Sequence, residues 1–261
     1  MLKNFDGLKR VRMIIKNDRD LQKMLEIGRI VALTLKEMGD ALRPGLTTQE
    51  LDLLGAKVLA DQGAKSAPVS VYNFPGYTCI SVNEEVAHGI PGARVLLPGD
   101  QVNIDVSASK NGFFSDTAAT FLLPPVKNRR LRLIRTAQLA LEKALDQAYA
   151  GNKLSLIGLA VEKVAHKNGY KTIRNLCGHG VGRTLHEDPE TIYNYFEKKD
   201  KRILEAGMTL AIETFIAESE DNVLEERDGW TLKTPRKTFT AQFEHTIMVR
   251  DKEPLILTLP Q

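Results

Sequence analysis

Four carboxylates and three histidines stand out because of the company they keep. Asp105 interrupts the alternating run Val102-Asn-Ile-Asp-Val106, and Asp116 follows in Ser115-Asp-Thr117. Glu213 lies inside Thr209-Leu-Ala-Ile-Glu-Thr-Phe-Ile216, and Glu244 inside Phe243-Glu-His-Thr-Ile-Met-Val249. His88, His179 and His186 occupy segments punctuated by glycine or proline: Ala87-His-Gly-Ile-Pro91, Gly178-His-Gly-Val-Gly182 and Leu185-His-Glu-Asp-Pro189. A carboxylate buried in an apolar strand needs a partner. Glycines on both sides of His179 would let the backbone come close to a ligand. Four carboxylates with one imidazole form an oxygen-rich donor set, suited to Mn, Fe(II), Co or Zn rather than to a soft thiolate metal. Open coordination positions on such ions acidify water into a nucleophile.

The spacing of the first two acids adds geometry. Val102, Ile104 and Val106 alternate with polar residues, as in a strand. Asn111-Gly112 is a strong hairpin signal, because a type I′ turn needs positive φ at both central residues. That turn sets 110 against 113, 107 against 116 and 105 against 118. Asp105 and Asp116 then share a face as diagonal neighbours, roughly 7–8 Å apart. Two carboxylates so placed repel unless a cation lies between them, and a pair of divalent ions at roughly 3.5–4 Å would fit. Each acid alone has a plainer alternative: a turn cap for Asp116, a solvent-facing strand position for Asp105, an edge strand for Glu213 or Glu244. His245 follows Glu244 and would point the other way on a strand, so it reads as structural. His166, on a helix beside Lys167, reads as a surface residue.

The elements that must position these groups follow from periodicity. Leu21, Met24, Leu25, Val31, Leu35, Met38 and Leu42 mark an amphipathic helix over 18–42, ended by Arg43-Pro44-Gly45. Thr47-x-x-Glu50 has the form of a capping box and opens a second helix to about Ala60, closed by Gly63. A strand-rich region runs from about Val69 to Leu123. Residues 128–150 read as a long helix, and Ser155 as the cap of another that ends near Asn168-Gly169. Lys57-Val58…Gly63 and Lys163-Val164…Gly169 hold equivalent places, which suggests either an internal duplication or a chance likeness. The expectation is one domain, 1–261, built from two like halves.

Composition sets few limits. With 43% hydrophobic residues in 261, a full core needs no covalent staples. A net charge of +3 does not call for nucleic acid. Cys79 and Cys177 match no zinc spacing and no disulfide framework. No apolar run approaches the roughly 18 residues of a membrane span, and Met1 to Asp20 lacks a signal-peptide core. A cytoplasmic protein with no membrane partner is the expectation.

Five segments, in this order, resemble type I methionine aminopeptidases, metallopeptidases of the pita-bread fold. They are Tyr72-Asn-Phe-Pro…Cys79-Ile-Ser-Val-Asn-Glu-Glu-Val-Ala-His-Gly-Ile-Pro91; Asn103-Ile-Asp-Val106; Ser115-Asp-Thr117; Cys177-Gly-His-Gly-Val-Gly-Arg183…His186-Glu-Asp-Pro189; and Ala241-Gln-Phe-Glu-His-Thr-Ile247. The resemblance runs through nearly the whole chain. It implies an α+β fold of two pseudo-symmetric halves, each with helices packed on an antiparallel sheet. It implies removal of the initiator methionine from nascent polypeptides with a small second residue, by a hydroxide bridging two metal ions (Co, Mn, Fe or Zn). By the same resemblance, Asp116 and Glu244 bridge the ions, Asp105 completes one site, and His179 and Glu213 complete the other. Glu213 also shuttles a proton, His88 and His186 bind the scissile peptide and the oxyanion, and Tyr72, Phe74, Cys79 and Trp230 line the methionine pocket.

Three departures bear on that pocket. Thr214 stands where the family commonly has proline, Leu185 where it often has an aromatic residue, and Ala87 where it frequently has cysteine. The 26 residues between His186 and Glu213 leave no room for the helical insertion of the type II enzymes, so the chain looks like the short bacterial form. The rivals are a proline-specific pita-bread peptidase, which usually carries a further N-terminal domain, and a metal-free binding module, which would have lost ligands. A monomer is the family expectation. The basic run Lys127-Asn-Arg-Arg-Leu-Arg-Leu-Ile-Arg135 could meet RNA phosphates on a ribosome, although a solvated helix face explains it more simply.

Overall fold

The computed structural model describes residues 12–260, so the part of the N-terminal reading that falls on 1–11 lies outside it. Helix α1 (Asp18–Ala41) begins where the Asn17 side chain accepts from the Asp20 amide at 2.9 Å. Helix α2 (Thr48–Asp61) has the expected capping box between Thr47 and Glu50, which satisfies two amides that a helix start leaves unpaired. Gly63, at φ +66°, turns the chain into strand β1 (Lys65–Ser66). Here the expected strand-rich region is corrected, because residues 67–72 form a short helix, α3 (Ala67–Tyr72). Val69 and Val71 favour a strand locally. Ser66 overrides them by capping the Val69 amide, Pro68 presets the first turn, and Asn73 ends the helix in the left-handed region at φ 54°.

Strands β2 (Cys79–Val82), β3 (Glu85–Ala87), β4 (Gln101–Lys110) and β5 (Phe113–Leu122) follow. The β4–β5 hairpin turns on Asn111 and Gly112 at φ +53° and +75°, with Lys110 against Phe113, Ser107 against Asp116 and Asp105 against Ala118. That is the register expected from the turn chemistry.

The second half repeats the order. Helix α4 (Asn128–Leu145) stops short of residue 150, because the Ala150 amide pairs with the Arg250 carbonyl at 2.9 Å and draws the chain out of the helix. Helix α5 (Ser155–Lys167) is not capped by Ser155. Leu154 holds the cap position, 3% exposed, and no side chain caps the helix there. Strands β6 (Lys171–Thr172), β7 (Cys177–Gly180), β8 (Glu187–Tyr193) and β9 (Thr209–Ala217) come next, then β10 (Leu224–Glu225), β11 (Leu232–Lys233), β12 (Thr240–Met248) and β13 (Leu255–Ile256).

The likeness of the halves is visible rung by rung. β1 pairs with β4 four residues beyond Asp105, and β6 pairs with β9 four residues beyond Glu213. Asp105 lies opposite Ala118, and Glu213 lies opposite Glu244. By that correspondence Asp116 in one half stands where Gln242 stands in the other. Each half has its own apolar core, one around Met24, Val31, Ile80 and Ile104, the other around Leu133, Ile157, Ile212 and Ile247. The halves meet along β5 and β12 through threonine hydroxyls. Thr246 Oγ1 donates to the Asp116 carbonyl (2.8 Å) and accepts from the Asp116 amide (2.9 Å). Thr120 Oγ1 does the same for Gln242, at 2.9 and 3.0 Å. Thr120 and Thr246 occupy corresponding rungs, so the stitching itself is pseudo-twofold. This is the α+β arrangement of two pseudo-symmetric halves that the resemblance implies. Among the described residues no helix is long and apolar enough to cross a membrane.

Candidate metal centre and substrate cleft

The acids gather at the seam. Asp116 comes from β5, Glu244 from β12, and His179 from β7. One donor atom from each lies within 4.8 Å of the other two, and all three residues are buried. His179 Nε2 is 3.9 Å from Asp116 Oδ2. His179 Nδ1 lies 2.9 Å from the Gly180 carbonyl, which can only accept, so Nδ1 carries the hydrogen and Nε2 presents its lone pair to the acids. Burial holds the His179 imidazole down at about 4, so it is neutral at ordinary pH. Asp116 Oδ1 and Glu244 Oε1 are buried without a hydrogen-bond partner. Buried polar atoms are nearly always satisfied, and two orphaned carboxylate oxygens beside an imidazole lone pair are what a cation would satisfy.

Asp105 and Glu213 are half-buried at the edge of this cluster. Burial first, and then the charges of their neighbours, push Asp116, Glu213 and Glu244 well above the usual carboxylate range. Burial raises Asp105 to about 6, against hydrogen bonds from Asp116 and Gln242 that favour its charged form. Gln242 Nε2 donates to Glu213 Oε2 at 3.0 Å. Gln242 is not marked out by the sequence. Its signal is that it precedes Glu244 by two residues, on the same face of β12, and that only becomes meaningful once the pairing is known.

The glycines around His179 act differently from the expectation. A Cβ on Gly178 would lie 2.5 Å from the Ala211 carbonyl, and one on Gly180 would lie 2.7 Å from the Asp188 carbonyl. They let β7 press against the neighbouring backbone, and so bring His179 to the acids. Gly89 plays the same part beside His88, since its Cβ would fall 2.3 Å from the Ile80 carbonyl. His88 itself has φ +54° and faces solvent.

His186 also faces solvent, its ring 4.0 Å from that of His179. The turn that carries it is pinned by Glu187, 3% exposed, whose carboxylate accepts from the amides of Arg183 (2.5 Å), Thr184 (2.8 Å) and Met13 (2.7 Å). Tyr72, at the end of α3, places its hydroxyl 2.5 Å from His186 Nδ1. Phe74 meets Trp230 edge-on at 5.2 Å between centroids. Cys79 lies opposite Asp105 on β2. Burial raises its thiol well above normal, and burial with the Glu213 charge raises Cys177 to about 12, so both stay protonated. The three departures sit in packed positions, none supplying a donor atom. Thr214 is fully buried with Oγ1 3.3 Å from the Phe243 carbonyl, Leu185 is 4% exposed, and Ala87 lies opposite Leu232. His245 hydrogen-bonds Thr258 Oγ1 through Nδ1 at 2.8 Å, and His166 is exposed; neither belongs to the cluster.

Comparison with known proteins converges on one family. The sequence model of metallopeptidase family M24 matches residues 22–251. The chain is 47% identical over 247 residues to methionine aminopeptidase 2 of Bacillus subtilis (strain 168), covering 94% of this chain and 99% of the relative. It is 38% identical over 247 residues to the methionine aminopeptidase of Escherichia coli (strain K12), covering 94% and 93% of the two. The crystal structure of methionine aminopeptidase from Thermotoga maritima superposes with a TM-score of 0.90 at 35% identity, over 94% of this chain and 99% of that one.

Proposed function

The chain belongs to metallopeptidase family M24, and on that premise we propose that it removes the N-terminal methionine from new polypeptides whose second residue is small. It is a metal-dependent aminopeptidase. Asp105, Asp116, His179, Glu213 and Glu244 hold two divalent ions, of the Co, Mn, Fe or Zn kind that oxygen-rich sites accept. When bound, such ions neutralise the crowded carboxylates and supply Lewis acidity. The observation that carries this reading is the convergence of Asp116, His179 and Glu244, two of them with orphaned buried oxygens.

The chain's own side chains perform the rest. Glu213, steadied by Gln242, takes up a proton and passes it to the leaving amine. His88 and His186 donate N–H groups to the scissile carbonyl, where negative charge develops. Phe74, Trp230 and Cys79 wall the methionine side chain, whose thioether packs well on ring edges.

The test is hydrolysis of Met-Ala-Ser beside Leu-Ala-Ser and Ala-Pro-Ser, by metal-stripped protein with Mn, Co, Fe(II) or Zn added back. Release of methionine that needs metal supports the reading; release only from the proline peptide sinks it. A cytoplasmic monomer that docks on ribosomes is the wider proposal. On α4, Arg129 pairs with Glu218 at 2.8 Å and Arg130 stacks on Phe239 at 3.7 Å, while Arg132 and Arg135 are exposed. Ribosome co-sedimentation unchanged by reversing those two exposed charges would remove that part.

A further inference from the structure

We propose that Tyr72 is a positioning residue for His186 rather than a wall of the methionine pocket: its hydroxyl donates to Nδ1 and so fixes the hydrogen on Nε2. The inference rests on the reading of His186 as a substrate-binding donor. The two groups lie 2.5 Å apart, with ring centroids at 5.8 Å. A neutral imidazole has one nitrogen that donates and one that accepts, and its partner decides which. A phenol O–H is a good donor and its oxygen a weaker acceptor than an imidazole lone pair, so the proton of the pair stays on Tyr72. His186 Nε2 is then N–H, the form needed to bind a carbonyl or an oxyanion. Without the phenol the two tautomers compete, and only part of the enzyme presents the donor.

The fold supports this division of labour. Tyr72 is the last residue of α3, which the Ser66 cap and the left-handed Asn73 delimit on either side. The opposite partner is held by Glu187, whose three amide contacts fix the turn bearing His186. Both ends of the Tyr72–His186 contact are therefore anchored independently. Phe74, two residues on, packs on Trp230 instead.

The experiment uses the metal-loaded enzyme and Met-Ala-Ser. Tyr72→Phe should lower kcat about tenfold, equal to about 1.4 kcal/mol of barrier, and leave KM within about twofold. In a His186→Ala background the same change should do nothing further, because its effect passes through the histidine. Nitrogen-15 spectra of the zinc-loaded protein should show His186 with bare Nδ1 and protonated Nε2, and a mixture of tautomers in Tyr72→Phe. A raised KM with kcat intact, or losses that multiply in the double variant, would overturn the proposal and return Tyr72 to the pocket wall. Should the wild type release no methionine, the aminopeptidase reading falls, and the ring-nitrogen pattern alone then decides for or against the Tyr72 contact.

Discussion

Asp116→Asn removes one of four crowded carboxyls at almost constant volume, and the metal-free protein is expected to gain stability from it. Asp105 indicates the scale. Its carboxyl moves from 3.8 to about 6, roughly two pH units, and each unit corresponds to about 1.36 kcal/mol, so holding it in this cluster costs about 3 kcal/mol at neutral pH. Asp116 is displaced in the same direction by burial and by the charges of Asp105 and Glu213. The wild type relieves part of that cost by retaining protons, which leaves about 1–3 kcal/mol for the variant to recover. In a chain of this length 1 kcal/mol moves Tm by about 2–4 °C. Thermal unfolding in chelator at pH 7.5 should therefore show Asp116→Asn melting several degrees above the wild type. Added Mn should raise the wild type strongly and the variant little, and the variant should release no methionine. A lower Tm for the variant in chelator would mean that Asp116 is satisfied without a cation.

Three further outcomes follow from the same geometry. The stability gap between Asp116→Asn and the wild type in chelator should widen as pH rises from 5 to 8. A raised folded-state pKa means that, above the ordinary carboxylate range, the unfolded chain releases a proton the native protein still holds; at low pH both states are protonated and Asp116 resembles asparagine, and the penalty grows with pH until the native carboxyl also ionises; a gap constant across the range would count against it. Gln242→Leu removes the 3.0 Å donor to Glu213 and should weaken Mn binding about 10–100-fold in titration calorimetry without changing the fold; unaltered affinity would make Gln242 a bystander. Trp230→Ala breaks the 5.2 Å edge contact with Phe74 and should raise KM for Met-Ala-Ser more than it lowers kcat; a pure kcat effect would place Trp230 outside the pocket.

What could be read from the chain alone was what local chemistry dictates. Asn111-Gly112 admits few turns, and once the turn is set the rungs of Asp105 and Asp116 follow. Thr47 and Glu50 satisfy each other's amides within four residues. Most of the misses depend on distant partners. Val69 and Val71 read as strand because their propensity is local, whereas α3 is imposed by Ser66 and by the packing of its end against a turn more than a hundred residues away. Gly178 and Gly180 look like a ligand approach in one dimension; in three they let β7 nest against β8 and β9. Gln242 carries no motif, and its meaning depends on which strand lies opposite.

The seam also bears on why this centre belongs to a single polypeptide. Two identical chains meeting across a true twofold axis would repeat every residue, and a pair of ions exchanged by that axis would see the same ligands. Here the axis is only approximate. Thr120 and Thr246 still mirror one another, but Asp116 has drifted from Gln242 and Ala118 from Glu244, and an imidazole enters from one side alone. With both halves in one chain, corresponding rungs can carry different side chains while the frame stays matched. The proposed pair of ions would then sit in unlike surroundings, and the cleft would have a polarity able to tell the amino end of a peptide from the rest of it.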